Sequence, residues 1–196
     1  MIKNGIAVVL LIVGIAVLAY STGQLDERKA QIKNIGVLKE QIASMKKPVK
    51  INTETQAVWV VSHSSRISYT TAKLIAEEAS KYLHSTLILS LIEAESEFTP
   101  TAVSKVGAVG LGQIMYDIHK KDMASLGICK KRDLFDIDKN IKATSFVLQM
   151  MLKKNNGDVV KALHSYLGGK DGKYTSRILS NYVHLSLEIE NDLSNM

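Results

Sequence analysis

LILSLIEAESEF, Leu87 to Phe98, decides how this chain folds. Ile88, Leu91 and Ile92 recur at spacings of three and four, the period of a helix with one face toward a core. Glu95 continues the same i, i+3, i+4, i+7 stripe. Glu93 and Glu97 stand two residues to either side, about 200° around the axis, which predicts them as solvated carboxylates on the wet face. A carboxylate on an apolar stripe is costly when ionised. Desolvation raises its pKa, so the group keeps its proton near neutral pH, as a general acid must. An ion pair to a neighbouring helix is the plainer reading of the same position.

Downstream, Thr101–Met115 reads TAVSKVGAVGLGQIM. Gly107, Gly110 and Gly112 suit tight turns and close approach of the backbone to a ligand. Gln113 offers both a donor and an acceptor to a sugar amide or hydroxyl. The run lacks the GK[ST] of a phosphate-binding loop. Beyond Thr70 helical periodicity continues nearly to the end, with helices expected near 70–83, 86–98, 117–126, 138–155, 158–167 and 175–192. AVWVV, Ala57–Val61, reads as a short strand or extended segment, followed by a Ser-rich loop. The expected fold class is mainly α.

The run I-x-x-E-S-x-F-x-P-x-A-V-S-x-x-G-A-x-G-L-x-Q-I-M, from Ile92 to Met115, resembles the signature of family-one lytic transglycosylases, whose domain is similar in fold to goose-type lysozyme. LFDIDKNIKATSFVLQMML (Leu134–Leu152) and ALHSYLGG (Ala162–Gly169) resemble two further motifs of that family, and the likeness extends over about residues 70–185. The resemblance implies cleavage of the β-1,4 bond between N-acetylmuramic acid and N-acetylglucosamine in peptidoglycan, leaving a 1,6-anhydro end. It implies Glu95 as the catalytic residue and Ser96, Gln113 and Met115 along the substrate groove. Tyr166 is the tyrosine implied to approach the catalytic carboxyl, with Tyr174 and Tyr182 downstream and Tyr182 expected to contact substrate. Leu167 stands where the family has asparagine, Tyr116-Asp117-Ile118 replaces a P-x-T run, and Ala143-Thr144 replaces a glycine-containing pair. Two alternatives stay open. One is lysozyme-type hydrolysis, with Asp117 or Asp122 as second acid; the other is a non-catalytic wall-binding module, which Leu167 invites.

Upstream, Gly5 to Tyr20 reads GIAVVLLIVGIAVLAY, with no charged residue between Lys3 and Asp26. A helix of about 20 such residues spans a bilayer. Residues 1–23 are therefore expected to be a retained transmembrane anchor or uncleaved signal, contacting the membrane through residues 5–20, with a cleaved signal peptide as the rival reading. Residues 24–48 read as a helical stalk ending at Pro48, solvated or self-associating along Leu25, Ile32, Ile35, Leu38, Ile42 and Met45. Residues 49–69 read as a connecting segment and 70–196 as the domain. Arg28, Lys29, Lys33 and Lys39 follow the span, against Lys3 before it. The positive-inside rule then puts the body inside, against a wall substrate on the periplasmic side. The catalytic domain is expected to face the periplasm and cell wall, with export overriding a weak orientation signal; a phage virion membrane or injection apparatus is the alternative.

The net charge is +6, which suits an anionic partner. No zinc-finger spacing or basic-aromatic motif supports nucleic acid. A lone Cys129 makes no internal disulfide, and His63, His84, His119, His164 and His184 show no ligand spacing, so no metal or organic cofactor is implied.

Overall fold

The computed structural model describes residues 52–194, together with residues 26–27, 29–30, 33 and 35–37. The expected membrane span at 5–20 lies outside the described residues. Among the described residues no helix is long and apolar enough to cross a membrane. Seven α-helices follow from residue 53: α1 (Thr53–Ser62), α2 (Tyr69–Ser80), α3 (Ser85–Ser96), α4 (Tyr116–Ser125), α5 (Ile137–Lys154), α6 (Val159–Leu167) and α7 (Gly172–Ser194). A single 3-10 turn, Lys131–Phe135, precedes α5. Six of the seven helices fall within about three residues of the bounds that periodicity predicts.

The exception is α1. Ala57–Val61 is helical and not extended. Asn52 starts this helix by accepting the backbone N–H groups of Glu54 and Thr55, both at 3.2 Å. β-branched residues lower helix propensity only slightly, and burial outweighs that cost here. Ala57, Trp59 and Val60 are all buried in the main core. Trp59 stacks on His63 at 4.2 Å and meets Phe98 edge-on at 5.8 Å. The stretch expected to connect stalk and domain thus supplies part of the domain's own core.

α3 is the central element. Ser85 through Glu93 are buried without a break, so this helix has no wet face over its first nine residues. It stops because Glu97 and Phe98 both take positive φ, 49° and 57°. Such a conformation costs a non-glycine residue about 1 kcal/mol or more. Complete burial of the Phe98 ring against Trp59 offsets it. The chain then turns back through Thr99-Pro100 and lays Thr101–Met115 beside the C-terminal end of α3. A second, smaller core of Val109, Ile114, Tyr116, Met123, Ile128, Leu134, Ala143 and Val147 forms beneath that segment. Tyr166 packs against both cores, at the seam between them.

Of the expected stalk, the described residues are helical. Ile35 packs against the main core, and Glu27 lies 3.8 Å from Lys173 at the start of α7. This part of the stalk rests on the globular body.

Candidate functional site

The Gly-rich segment is folded by one buried asparagine. Asn140, in the first turn of α5, donates from Nδ2 to the carbonyls of Val109 (3.0 Å) and Leu134 (2.7 Å). Its Oδ1 accepts the Gly112 N–H at 2.8 Å. Isolated antiparallel bridges pair Val109 with both Val103 and Ile114. Two glycines are required by this packing. A Cβ on Gly110 would lie 2.1 Å from Asn140 Nδ2, and one on Gly112 would lie 2.0 Å from Thr144 Oγ1. Thr144, at one of the positions that depart from the family motif, fills the space against Gly112 and donates to Asn140 O at 2.8 Å.

An open groove of about 300 Å³ lies between this segment and the end of α3. Glu95, Ser96 and Glu97 line one side, Val103 and Gln113 the other, and Arg66 reaches in from the loop before α2. Gln113 holds a positive φ of 49°, and its Nε2 donates to the carbonyls of Gly110 (2.9 Å) and Ala102 (3.3 Å). That leaves its Oε1 as the acceptor for a ligand. Ser96 Oγ donates back to Ile92 O at 3.3 Å. Met115 is half-buried at the N-terminal end of α4, outside the groove's lining.

Glu95 emerges where α3 leaves the core. Burial pushes its carboxyl above the ordinary glutamate range, opposed by a hydrogen bond that the Tyr174 hydroxyl donates to Oε1. Tyr174 is itself driven strongly upward, by burial first and then by the Glu95 charge, so it stays a donor. Tyr166 donates to Gly112 O at 2.8 Å, and burial together with nearby Glu95 raises its hydroxyl well above the usual phenol. Three helices and one loop thus converge on a single carboxyl group.

The surface expectation for Glu93 needs correction, and Tyr182 lies apart from the carboxyl. Glu93 does not face water: it is 7% exposed and accepts from Arg177 Nε (2.9 Å), Arg177 Nη2 (2.5 Å) and Asn181 Nδ2 (2.6 Å). The amphipathic-surface argument fails because α3 is a central helix whose second face is covered by α7. Tyr182 is not brought to Glu95. It sits two helical turns beyond Tyr174, about 12 Å along the axis, half-buried against the main core near Ser186 and Glu190. Tyr174 occupies the place beside the carboxyl. Arg66 was not singled out in the sequence either. Its only signal is a lone cation in the Ser-rich loop HSSRIS, residues 63–68. Among the described residues no cluster of His, Cys, Asp or Glu could hold a metal ion.

The model of the transglycosylase SLT domain family matches residues 73–178, more than half of the chain. The chain belongs to that family. Curated relatives include the membrane-bound lytic murein transglycosylase C of Yersinia pestis (strain Pestoides F) and that of Yersinia pseudotuberculosis (serotype O:1b). Each is 28% identical over 141 residues, covering 61% of this chain and 39% of the relative. The chain therefore spans about two fifths of the length of the curated relatives it matches. No solved structure matches it. The SLT match takes in Glu95, the Gly-rich segment, Tyr166 and Tyr174, and leaves α1 and Arg66 outside.

Proposed function

We propose that this SLT domain is a lytic transglycosylase that cleaves peptidoglycan glycan strands with Glu95 as its acid and base. The carrying observation is the carboxyl of Glu95, raised by burial at the edge of an open groove and touched by one tyrosine hydroxyl. In the first step Glu95 gives its proton to the glycosidic oxygen and the C1–O bond of the muramic residue breaks. The substrate's own N-acetyl oxygen stabilises the positive C1. In the second step ionised Glu95 takes the proton of the C6 hydroxyl, and the C6 oxygen bonds to C1. Glu95 is reprotonated and the product carries a 1,6-anhydro ring, so no water is consumed. Tyr174 suits both halves, since a donor to Oε1 steadies the ionised form between them. Ser96, Gln113 and Arg66 line the path of the strand, with Met115 at its margin.

Hydrolysis needs a second carboxyl group placed across the scissile bond. Asp117 and Asp122 do not line the groove, and Glu97, which does, extends from the same helix end as Glu95. That arrangement supports the one-acid route. That the relatives are membrane-bound supports an anchor at residues 5–20, and we place the domain on the wall side of that membrane. Release of soluble fragments from purified sacculi by the chain and its Glu95→Gln variant tests the proposal. General acid catalysis contributes about 10²–10⁴-fold, so the variant loses at least about a hundredfold in rate while keeping its helical spectrum. A variant as active as its parent removes Glu95 from the chemistry, and an inactive parent leaves a wall-binding module.

A further inference from the structure

Tyr174, Arg177 and Asn181 stand at i, i+3 and i+7, on one face of α7. All three reach the last turn of α3: Tyr174 to Glu95, and both Arg177 and Asn181 to Glu93. The guanidinium grips the Glu93 carboxylate with two hydrogen bonds, from Nε at 2.9 Å and from Nη2 at 2.5 Å. Nη2 also lies 3.5 Å from Glu93 O and 3.9 Å from Glu97 Oε1, where a cation favours the helix's C-terminal end.

The first turn of α7 is also held by Thr175, fully buried with its Oγ1 donating to Asp171 O at 2.8 Å, and by the Lys173–Glu27 pair, but neither contact is made to α3. The turn follows Gly168-Gly169, and its cap is Asp171, whose Oδ1 accepts the N–H groups of Lys173 (2.9 Å) and Tyr174 (3.0 Å). Only the Glu93 side of the pair is buried: its side chain is 9% exposed while that of Arg177 is 45% exposed, so the pair adds little stability by charge alone. What a bidentate fork adds is direction: it fixes rotation and register in a way that apolar packing does not. A rotation of α7 by a fraction of a turn would carry the Tyr174 hydroxyl away from Glu95. The fork also matches the charge of Glu93, which lies only two residues from Glu95.

We propose that Arg177 is a positioning residue, whose fork on buried Glu93 sets the rotation of α7 that places the Tyr174 hydroxyl on Glu95. The inference rests on the reading of Glu95 as the proton donor. The groups facing that carboxyl are Tyr174 from α7 and Tyr166 from α6, with Glu93 and Glu97 on its own helix. Arg177 stands behind Glu93, and Arg66 lies across the groove.

Arg177→Met alone strands a buried carboxylate and risks unfolding, so the decisive variant is Glu93→Leu/Arg177→Met, which removes both charges together. On sacculi this double variant loses about tenfold or more in kcat, the scale set by misplacing a catalytic group. Its KM changes less than about twofold, because neither residue lines the groove. Added to Tyr174→Phe, the pair costs less than about a further twofold, since the hydroxyl it places is already gone. Arg177→Lys, which keeps charge without the fork, falls between. A pair that merely staples α7 to α3 would instead cost the same factor with or without the hydroxyl, or move only the melting temperature. Carbon-13 NMR titration of the Glu95 carboxyl in the full chain gives a readout that needs no turnover. The titration midpoint moves to higher pH in the double variant, as it does in Tyr174→Phe. An unmoved midpoint shows Tyr174 still in place and overturns the inference. A parent inactive on sacculi would sink the functional reading alone and leave the titration to decide this one.

Discussion

Replacing Tyr174 by Phe removes one hydroxyl and keeps the ring. That hydroxyl donates to Glu95 Oε1 and is the one influence that pulls the carboxyl downward; burial, the larger influence, pushes it up. A hydrogen bond to a charged group is worth about 1.5–3 kcal/mol, and the lower end applies because Glu95 opens onto a solvated groove. About 1.5 kcal/mol corresponds to roughly a tenfold change in the ratio of protonated to ionised carboxyl at fixed pH. The sign follows from which form the bond favours. Tyr174 stabilises the ionised form, so its loss leaves desolvation unopposed and keeps Glu95 protonated to higher pH. A general acid acts while protonated, and activity falls as pH rises through its pKa. The alkaline limb of kcat/KM, measured by release of labelled muropeptides from sacculi, therefore moves to higher pH in Tyr174→Phe. The peak rate falls by about tenfold as the carboxyl loses its anchor. A limb that stays put, or moves to lower pH, would refute the assignment of Tyr174 as the donor that tunes Glu95.

Three other outcomes follow from the packing and the groove. Trp59→Ala costs about 3–5 kcal/mol in denaturant unfolding, because the indole is buried between His63 and Phe98; a loss below about 1 kcal/mol would take α1 out of the domain's core. Gly112→Ala costs about 1–3 kcal/mol through its clash with Thr144, and adding Thr144→Ala recovers part of it by removing Oγ1 and Cγ2 while the Thr144 Cβ, 2.9 Å away, remains; equal losses in the single and double variants would contradict the close approach. Arg66→Ala raises KM on glycan strands severalfold and leaves kcat within about twofold, and an unchanged KM would remove Arg66 from the strand's path.

Much of this was legible in the residues, for identifiable reasons. Helix periodicity located six helices because each has a covered stripe and a marked end. Glu95 was found by the same logic, an ionisable group in register with Ile88, Leu91 and Ile92. The logic misplaced Glu93 because a stripe argument assumes a surface helix, and α3 is enclosed along most of its length. Its neutralising partner is 84 residues away on α7, a pairing that no local pattern encodes. Ala57–Val61 reads as a strand from its β-branched residues, and only the tertiary burial of Trp59 makes the helix worthwhile. Tyr174 and Tyr182 lie eight residues apart on one helix, and spacing alone does not choose between them. The crossing of α7 over α3 does, and it selects Tyr174. Arg66 comes from a segment that sequence placed outside the domain. It reaches the groove because α1, packed by Trp59, carries the following loop there.

The proposed reaction uses a single carboxyl group, at position 95, and consumes no water. Mass spectrometry of sacculi digested by the chain tests it directly. The expected products are muropeptides ending in 1,6-anhydromuramic acid, absent from a digest by Glu95→Gln. Reducing ends without the anhydro ring, each heavier by one water, would contradict the proposed reaction.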